Sequence, residues 1–285
     1  MKIALTGASG FIANSIQSKI NLNDVEFVSL NRNETNNIWR QKISECQVVI
    51  NLAGSPVIQR WTAKNKQTIL DSRISTTRRL VTLLNELKSG PELLISASAI
   101  GIYPDKGEKV MTEIDYETGD GFLSEVVQQW EQEAMQLTNR NTRLAIMRSG
   151  VVLGKDSRLL KQTLPLFKLG LGGKIASGNQ TLSFIHIDDL VAAVQFFIEK
   201  KEAQGIYNMV APHLTTNAEF TRVLAKTLKR PAPFFVPAFA LKMLYGKAAQ
   251  IMINGEKVYP EHLLNEGFVF RFPEIDAALN NLLKQ

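Results

Sequence analysis

Apolar residues in the first half of the chain fall into two alternating kinds of run. Short, nearly continuous runs occur at Ile3-Ala4-Leu5, Val25–Leu30, Val48–Ala53, Leu93–Ser96 and Leu144–Arg148. Their length and continuity predict strands buried on both faces of a parallel sheet. Between them lie stretches with helical spacing. One runs from about Thr62 to Leu87, with Ile69, Leu80, Leu83 and Leu84 near one face. Another runs from Phe122 to Leu137, with Phe122, Val126, Trp130, Ala134 and Leu137 aligned. This alternation predicts an α/β, doubly wound parallel sheet. After about residue 155 the pattern loosens into a glycine-rich stretch, Gly170 to Gly178. The chain is then expected to return to the sheet with a strand at Leu182–Ile185, a helix from Asp188 and a strand at Gly205–Val210. From Thr215 helices dominate, punctuated by Pro231, Pro233, Pro237, Pro260 and Pro273. The expected division is a core of residues 1–155, with 180–212 returning to it, and a smaller, mostly helical cap of 156–179 and 213–285. A substrate cleft belongs between them.

Composition narrows the class without changing this outline. The 285 residues are 45% hydrophobic and 21% charged, as in ordinary globular proteins. The single cysteine, Cys46, excludes an internal disulfide and a cysteine-rich metal site; it is expected to pack at a strand edge. No metal site is expected, since His186, His213 and His262 lack ligand spacing. The first strand begins at residue 2, and the most apolar stretch, Pro233 to Tyr245, is too short to span a bilayer and contains Pro237 and Lys242. A cytoplasmic protein without a membrane partner is the expectation. Net charge is +6 and the pI about 9.3. The basic residues are scattered and lack interleaved aromatics, so nucleic acid is not the expected partner. A basic pocket for an anionic small molecule and a solvated basic surface both remain open.

The opening residues carry the sharpest chemistry. Thr6-Gly7-Ala8-Ser9-Gly10-Phe11-Ile12-Ala13 takes a strand through a glycine turn into a helix. Gly7 permits the turn, and Gly10 lets backbone N–H groups approach a pyrophosphate at the positive end of the helix. Thr6, Gly7, Ser9, Gly10, Phe11 and Ile12 are therefore expected at a dinucleotide, in a Rossmann fold; an ordinary glycine turn shares the spacing. Strand two ends Leu30-Asn31-Arg32-Asn33, without the carboxylate that grips the ribose 2′-hydroxyl of NAD. Arg32 can pair with a 2′-phosphate instead, which makes NADP(H) the expected cofactor and Asn31 and Arg32 its phosphate end. Glu34, two residues on, is the residue that could overturn this. Leu52, Ala53 and Gly54 at the third strand end, and Ser96 at the fourth, complete the expected cofactor contacts.

These residues together resemble the extended short-chain dehydrogenase/reductases, which include nucleotide-sugar epimerases and dehydratases. More narrowly, the chain resembles the atypical epimerase-family proteins of the YfcH kind over essentially its whole length. The resemblance rests on the opening turn, Asn51-Leu52-Ala53-Gly54, and Arg60-Trp61-Thr62 with Lys66 and Ser72-Arg73. It continues through Ser98-Ala99-Ile100-Gly101-Ile102-Tyr103, Phe122-Leu123, Trp130-Glu131, Gly150–Gly154 and Gly178-Asn179-Gln180. Ile185–Leu190, Val258-Tyr259-Pro260 and Gly267–Phe272 complete it. It implies a Rossmann fold with NADP(H), a small-molecule substrate that it leaves unidentified and, by analogy, a homodimer.

The parent superfamily's Tyr-x-x-x-Lys pair is missing. Four residues after Tyr103, Tyr116, Tyr207, Tyr245 and Tyr259 stand Gly107, Asp120, Ala211, Ala249 and Leu263. On the expected helix, Phe122-Leu123-Ser124-Glu125-Val126-Val127, an aromatic or aliphatic group stands where tyrosine belongs and a valine where lysine belongs. The remaining catalytic candidates are Ser98, resembling the serine that bonds a substrate carbonyl, and Tyr103, a phenol supplied from a loop. Turn serine and packing tyrosine are the alternatives. Glu125 could act as an acid/base or sit on a solvated face, and Trp130-Glu131 as a packing residue and a surface pair. His186 is expected to be a structural hydrogen-bonder, and Asp188 and Asp189 to cap a helix. Two functions follow: an NADP(H)-dependent oxidoreductase or epimerase with an atypical site, or a non-enzymatic NADP(H)-binding sensor or partner-binding protein.

Overall fold

The computed structural model describes residues 1–284. In chain order its elements are β1 (Lys2–Thr6), α1 (Phe11–Lys19), β2 (Glu26–Leu30), α2 (Asn36–Ser44), β3 (Val48–Asn51), α3 (Ala63–Glu86), β4 (Leu93–Ala99), α4 (Phe122–Met135) and β5 (Arg143–Ser149). There follow β6 (Val151–Leu153), α5 (Arg158–Lys168), β7 (Gly173–Ile175), β8 (Phe184–His186), α6 (Ile187–Glu199) and β9 (Gly205–Met209). Last come α7 (Asn217–Leu228), β10 (Phe234–Val236), α8 (Ala238–Tyr245), α9 (Gln250–Ile253), α10 (Glu261–Asn265) and α11 (Ile275–Leu283).

Six strands form one parallel sheet in the order β2-β1-β3-β4-β5-β9. The apolar runs are continuous because both faces are covered. Ile3, Leu5, Ile50 and Ile95 pack with Leu190, Val194 and Phe197 of α6. Ala4, Val49 and Leu94 face the other way, toward Trp39 and Ile43 of α2 and Leu80 and Leu84 of α3. The chain runs outward from β1 to β2 and then crosses to β3 on the other side. The ends of β1 and β3 therefore diverge, and a ligand crevice opens between them. A second core joins Leu153, Leu160, Phe184, Phe220, Leu224 and Leu279, drawn from β6, α5, β8, α7 and α11. This is the Rossmann-like α/β fold of the sequence reading, with a helical C-terminal region.

Three local expectations need correction. The strand expected at Leu182–Ile185 is Phe184–His186, and it pairs with β6 in a separate two-stranded sheet. Gly150 causes the departure. Its backbone runs so close to Ser183 that a Cβ would lie 2.3 Å from the Ser183 carbonyl, and the Val151 N–H bonds that carbonyl at 2.8 Å. The chain thus leaves β9 and continues along β8. Second, the helical tail contains a strand, β10, paired with β7 from the glycine-rich stretch. Third, α6 is capped by the His186 ring, whose Nδ1 accepts from Asp188 N–H at 3.0 Å. Asp189 is instead buried and accepts the backbone N–H groups of Arg271 and Phe272 at 2.9 and 3.0 Å. Cys46 is buried between α2 and β3, and burial pushes its thiol up to about 11.

Asp189 is a tie between α6 and the C-terminal segment. Replacing it with alanine strands two backbone donors, each worth about 1–3 kcal/mol when unsatisfied. Asp189→Ala should therefore lower stability by about 2–4 kcal/mol in urea denaturation with an unchanged m-value. Asp189→Asn, which keeps one acceptor, should lose less.

Candidate functional site

The crevice between β1 and β3 is built around a hydroxyl. Thr6 Oγ donates to Asn51 Oδ1 at 2.7 Å and accepts the Leu52 and Ala53 N–H groups at 3.1 and 3.2 Å. Asn51 Nδ2 and the Trp130 indole N–H both donate to Thr77 Oγ, at 2.8 and 3.0 Å. Thr6, expected at the cofactor, is thus buried and directed inward. Gly7 adopts φ +65°, and a Cβ there would lie 2.9 Å from the Leu52 carbonyl, so the two strand-end loops touch at this glycine. The turn then enters α1 at Gly10, with no side-chain cap and no acidic residue in the first turn. The leading N–H groups of α1 are left for an anion. The Phe11 ring packs toward Gly154 and Ile12 against the core, while Ser9 stays exposed. Gly54 lies flat on Arg73; a Cβ would sit 3.0 Å from its guanidinium carbon. Burial lowers Arg73 to about 10, and it donates to the Ser55 and Ile69 carbonyls at 3.0 Å each. Ser96 Oγ is buried without a hydrogen-bond partner.

At the end of β2, Glu34 is turned onto its own loop. It accepts from Asn31 N–H at 3.1 Å and Asn31 Nδ2 at 3.3 Å, and pairs with Lys42 at 2.6 Å. The Lys42 bond holds its carboxyl below the usual range. Arg79 of α3 stacks 4.0 Å over Trp39 and donates to the Arg32 and Glu34 carbonyls at 3.2 and 2.6 Å. The Arg32 side chain itself is exposed and bonds none of the described residues. Arg79 escaped the sequence reading because it lies 45 residues from Glu34, and Lys42, only eight residues on, because nothing local shows which way α2 turns it.

The ends of β4, β5 and β9 meet at a buried ion pair. Arg148 binds Glu131 through Nε–Oε1 and Nη2–Oε2, both 2.8 Å, with both side chains almost wholly buried. Burial opposes the Arg148 charge, but the Glu131 bonds outweigh it and raise its pKa. Ser98 Oγ donates to Glu131 Oε1 at 2.5 Å. The Tyr103 phenol accepts from Arg148 at 2.8 Å and donates to Asn208 Oδ1 at 2.7 Å. Burial pushes this phenol up to about 12 despite Arg148. Ser98 and Tyr103 are therefore brought together through Arg148 and Glu131, with both hydroxyls held by protein partners. Glu131 is not a surface group. It shares a helical face with Ser124, Val127 and Ala134, all buried, and that spacing was available in the sequence. Glu125 is exposed on the opposite side. At the mouth of α4, Phe122 meets Trp61 edge-on at 5.0 Å, with Lys66 Nζ 4.7 Å above its ring. Glu256, from the C-terminal region, is pushed up to about 7 by burial, with Asp105 adding to the effect.

A doubly wound sheet, a glycine turn at its switch point and an uncapped helix start define a dinucleotide-binding protein of the Rossmann class. The profile of the NAD dependent epimerase/dehydratase family matches residues 3–209, and a domain of unknown function, DUF1731, matches residues 236–282. The chain belongs to the NAD dependent epimerase/dehydratase family, in its atypical extended short-chain dehydrogenase/reductase branch. It is 35% identical to an epimerase family protein of Staphylococcus saprophyticus and 34% to one of Staphylococcus haemolyticus, in each case over 98% of both chains. It is also similar to the crystal structure of human epimerase family protein SDR39U1 (isoform 2) with NADPH, at TM-score 0.94 and 30% identity over the full length of both chains.

The buried pair sets a clear expectation. Arg148→Met leaves the Glu131 carboxylate without its cation and should cost about 3–5 kcal/mol in chemical denaturation. Adding Glu131→Gln should restore part of that loss, a coupling read by a double-mutant cycle.

Proposed function

We propose that this protein binds NADP(H) in the β1–β3 crevice and exchanges hydride with a carbonyl or nucleotide-sugar-type small molecule, as an oxidoreductase or epimerase. One observation carries the cofactor choice: Arg32 is free at the end of β2 while Glu34 is tied to Asn31 and Lys42. A carboxylate so held cannot grip a ribose 2′-hydroxyl, and an unpaired guanidinium suits a 2′-phosphate. The NADPH of the human relative supports this reading. In it, Gly7, Ser9, Gly10, Phe11 and Ile12 hold the pyrophosphate at the start of α1. Asn31 and Arg32 take the adenosine phosphate, and Leu52, Ala53, Gly54 and Ser96 line the rest. The bound nicotinamide would supply the hydride. Thr6 acts one step back, by fixing the Leu52–Ala53 amides. A cytoplasmic location belongs to the same proposal.

Arg32→Ala should weaken NADPH binding about tenfold or more, the scale of one charge-assisted bond, and leave NADH binding unchanged. Fluorescence titration of both cofactors checks it, and NADH binding the unaltered protein as tightly as NADPH would sink the cofactor assignment.

Ser98 and Tyr103 are the proposed substrate-facing hydroxyls; to move a proton, each must exchange its present bond to Glu131 or Asn208. Ser98→Ala and Tyr103→Phe should each lower turnover about 100-fold or more with NADPH affinity unchanged, measured as NADPH oxidation against carbonyl and nucleotide-sugar panels. The committed state of both hydroxyls, with no tyrosine followed four residues on by lysine, favours a second reading as a non-enzymatic NADP(H) sensor. A partner whose affinity differs between NADP⁺ and NADPH, with no turnover on any panel, would select it.

A further inference from the structure

The C-terminal half segregates its charge. From Ser157 to Ile187 and from Phe220 to Gly255 there is no aspartate or glutamate, yet these segments hold ten lysines and arginines. The whole chain is only +6, so the remainder is net negative. The same two segments carry nine of the seventeen exposed large apolar side chains. Leu166 and Leu169 at the end of α5, and Leu171 beyond it, are each more than half exposed. Leu171 N–H bonds the Leu166 carbonyl, and two residues later β7 begins, paired with β10 through Gly173–Phe234 and Lys174–Phe235. Phe234 and Phe235 point to opposite faces of that ribbon, and both are more than half exposed. Pro237 then starts α8, where Phe239, Met243 and Leu244 face solvent and only Leu241 is buried. Beside Phe234 runs a groove of about 400 Å³ whose charged lining is Lys174, Arg222 and Arg230. The nearest carboxylate partner is Glu219, 3.8 Å from Arg222; Lys174 and Arg230 have none among the described residues.

We propose that this face docks on the surface of an anionic lipid bilayer. Phe235 and Phe239, with the exposed leucine and methionine side chains, would enter the headgroup–acyl boundary, and a lipid phosphate would occupy the Lys174–Arg222–Arg230 groove. Charge decides the occupant. A second copy would bring the same predominantly basic surface against itself, which repels, whereas an anionic bilayer complements it. A nucleic acid would answer the charge but leave the leucines and methionine uncovered. No helix among the described residues is long and apolar enough to cross a membrane, so the contact is peripheral. The expectation of no membrane partner rested on the lack of a spanning segment, and a surface contact needs none.

The test is co-sedimentation of the full chain with vesicles of phosphatidylcholine alone and of equal parts phosphatidylcholine and phosphatidylglycerol. Binding is expected only to the anionic vesicles, and it should weaken as salt shortens the Debye length toward about 3 Å. Lys174→Glu and Arg230→Glu should each reduce partitioning about fivefold or more. Phe235→Ser and Phe239→Ser should each reduce it about tenfold. All four sites are solvent-facing, and an unchanged circular-dichroism melt confirms the fold of each variant. Lys88→Glu, outside both segments, should leave partitioning unchanged. Three results would overturn the proposal: no binding to anionic vesicles, equal binding to neutral ones, or self-association in sedimentation velocity that Phe235→Ser abolishes. Stabilisation by inorganic phosphate without vesicle binding would overturn it as well.

Discussion

One buried hydroxyl organises the cofactor end of this protein. Thr6 closes β1 and simultaneously binds the Asn51 side chain and the two amides that begin the β3 loop. Asn51 passes the connection to Thr77 on α3, and Thr77 receives Trp130 from α4. Two strands and two helices are thereby tied to one another at the point where the strand order reverses. In a water-poor interior such a chain of bonds is stiff, and breaking any one of them strands its partner. The separation of the two glycine-containing loops is therefore set before any ligand arrives.

A second buried network lies further along the strand ends. Arg148 and Glu131 pay a desolvation cost that is offset only because Ser98 and the Tyr103 phenol satisfy their remaining donors and acceptors. The parent superfamily uses a lysine to lower a tyrosine phenol. Here an arginine is matched by a carboxylate, and burial leaves the phenol near 12. Here the network ties the ends of β4, β5 and β9 to α4, and both hydroxyls are committed within it.

The C-terminal region is attached by comparable means. Asp189 receives two amides from the 271–272 segment, and buried Glu113 receives those of Asn208, Glu261 and His262 at 2.6, 3.1 and 3.4 Å. One carboxylate thus ties the irregular 271–272 segment to α6, and the other ties the start of α10 to β9. What the region leaves uncovered is the β7–β10 ribbon and α8, and there the apolar and basic residues collect.

The chain by itself determined the strand–helix alternation, the phosphate turn, the arginine at the end of β2 and the loss of the tyrosine–lysine pair. Each is a local pattern, set by residues within a turn or two of one another. Thr6 and Glu34 show where that reach ended. Both were legible as residues of the cofactor end, but not as groups turned inward or tied down by partners. The partner of Thr6 lies 45 residues away, and that of Tyr103 lies 105. Gly150 likewise marked a turn in sequence, while the handover from β9 to β8 came from how closely Ser183 packs beside it. Only the tertiary structure decided which polar groups are free and which are committed. Local spacing positions a side chain on a strand or helix, but packing between distant segments chooses what it meets.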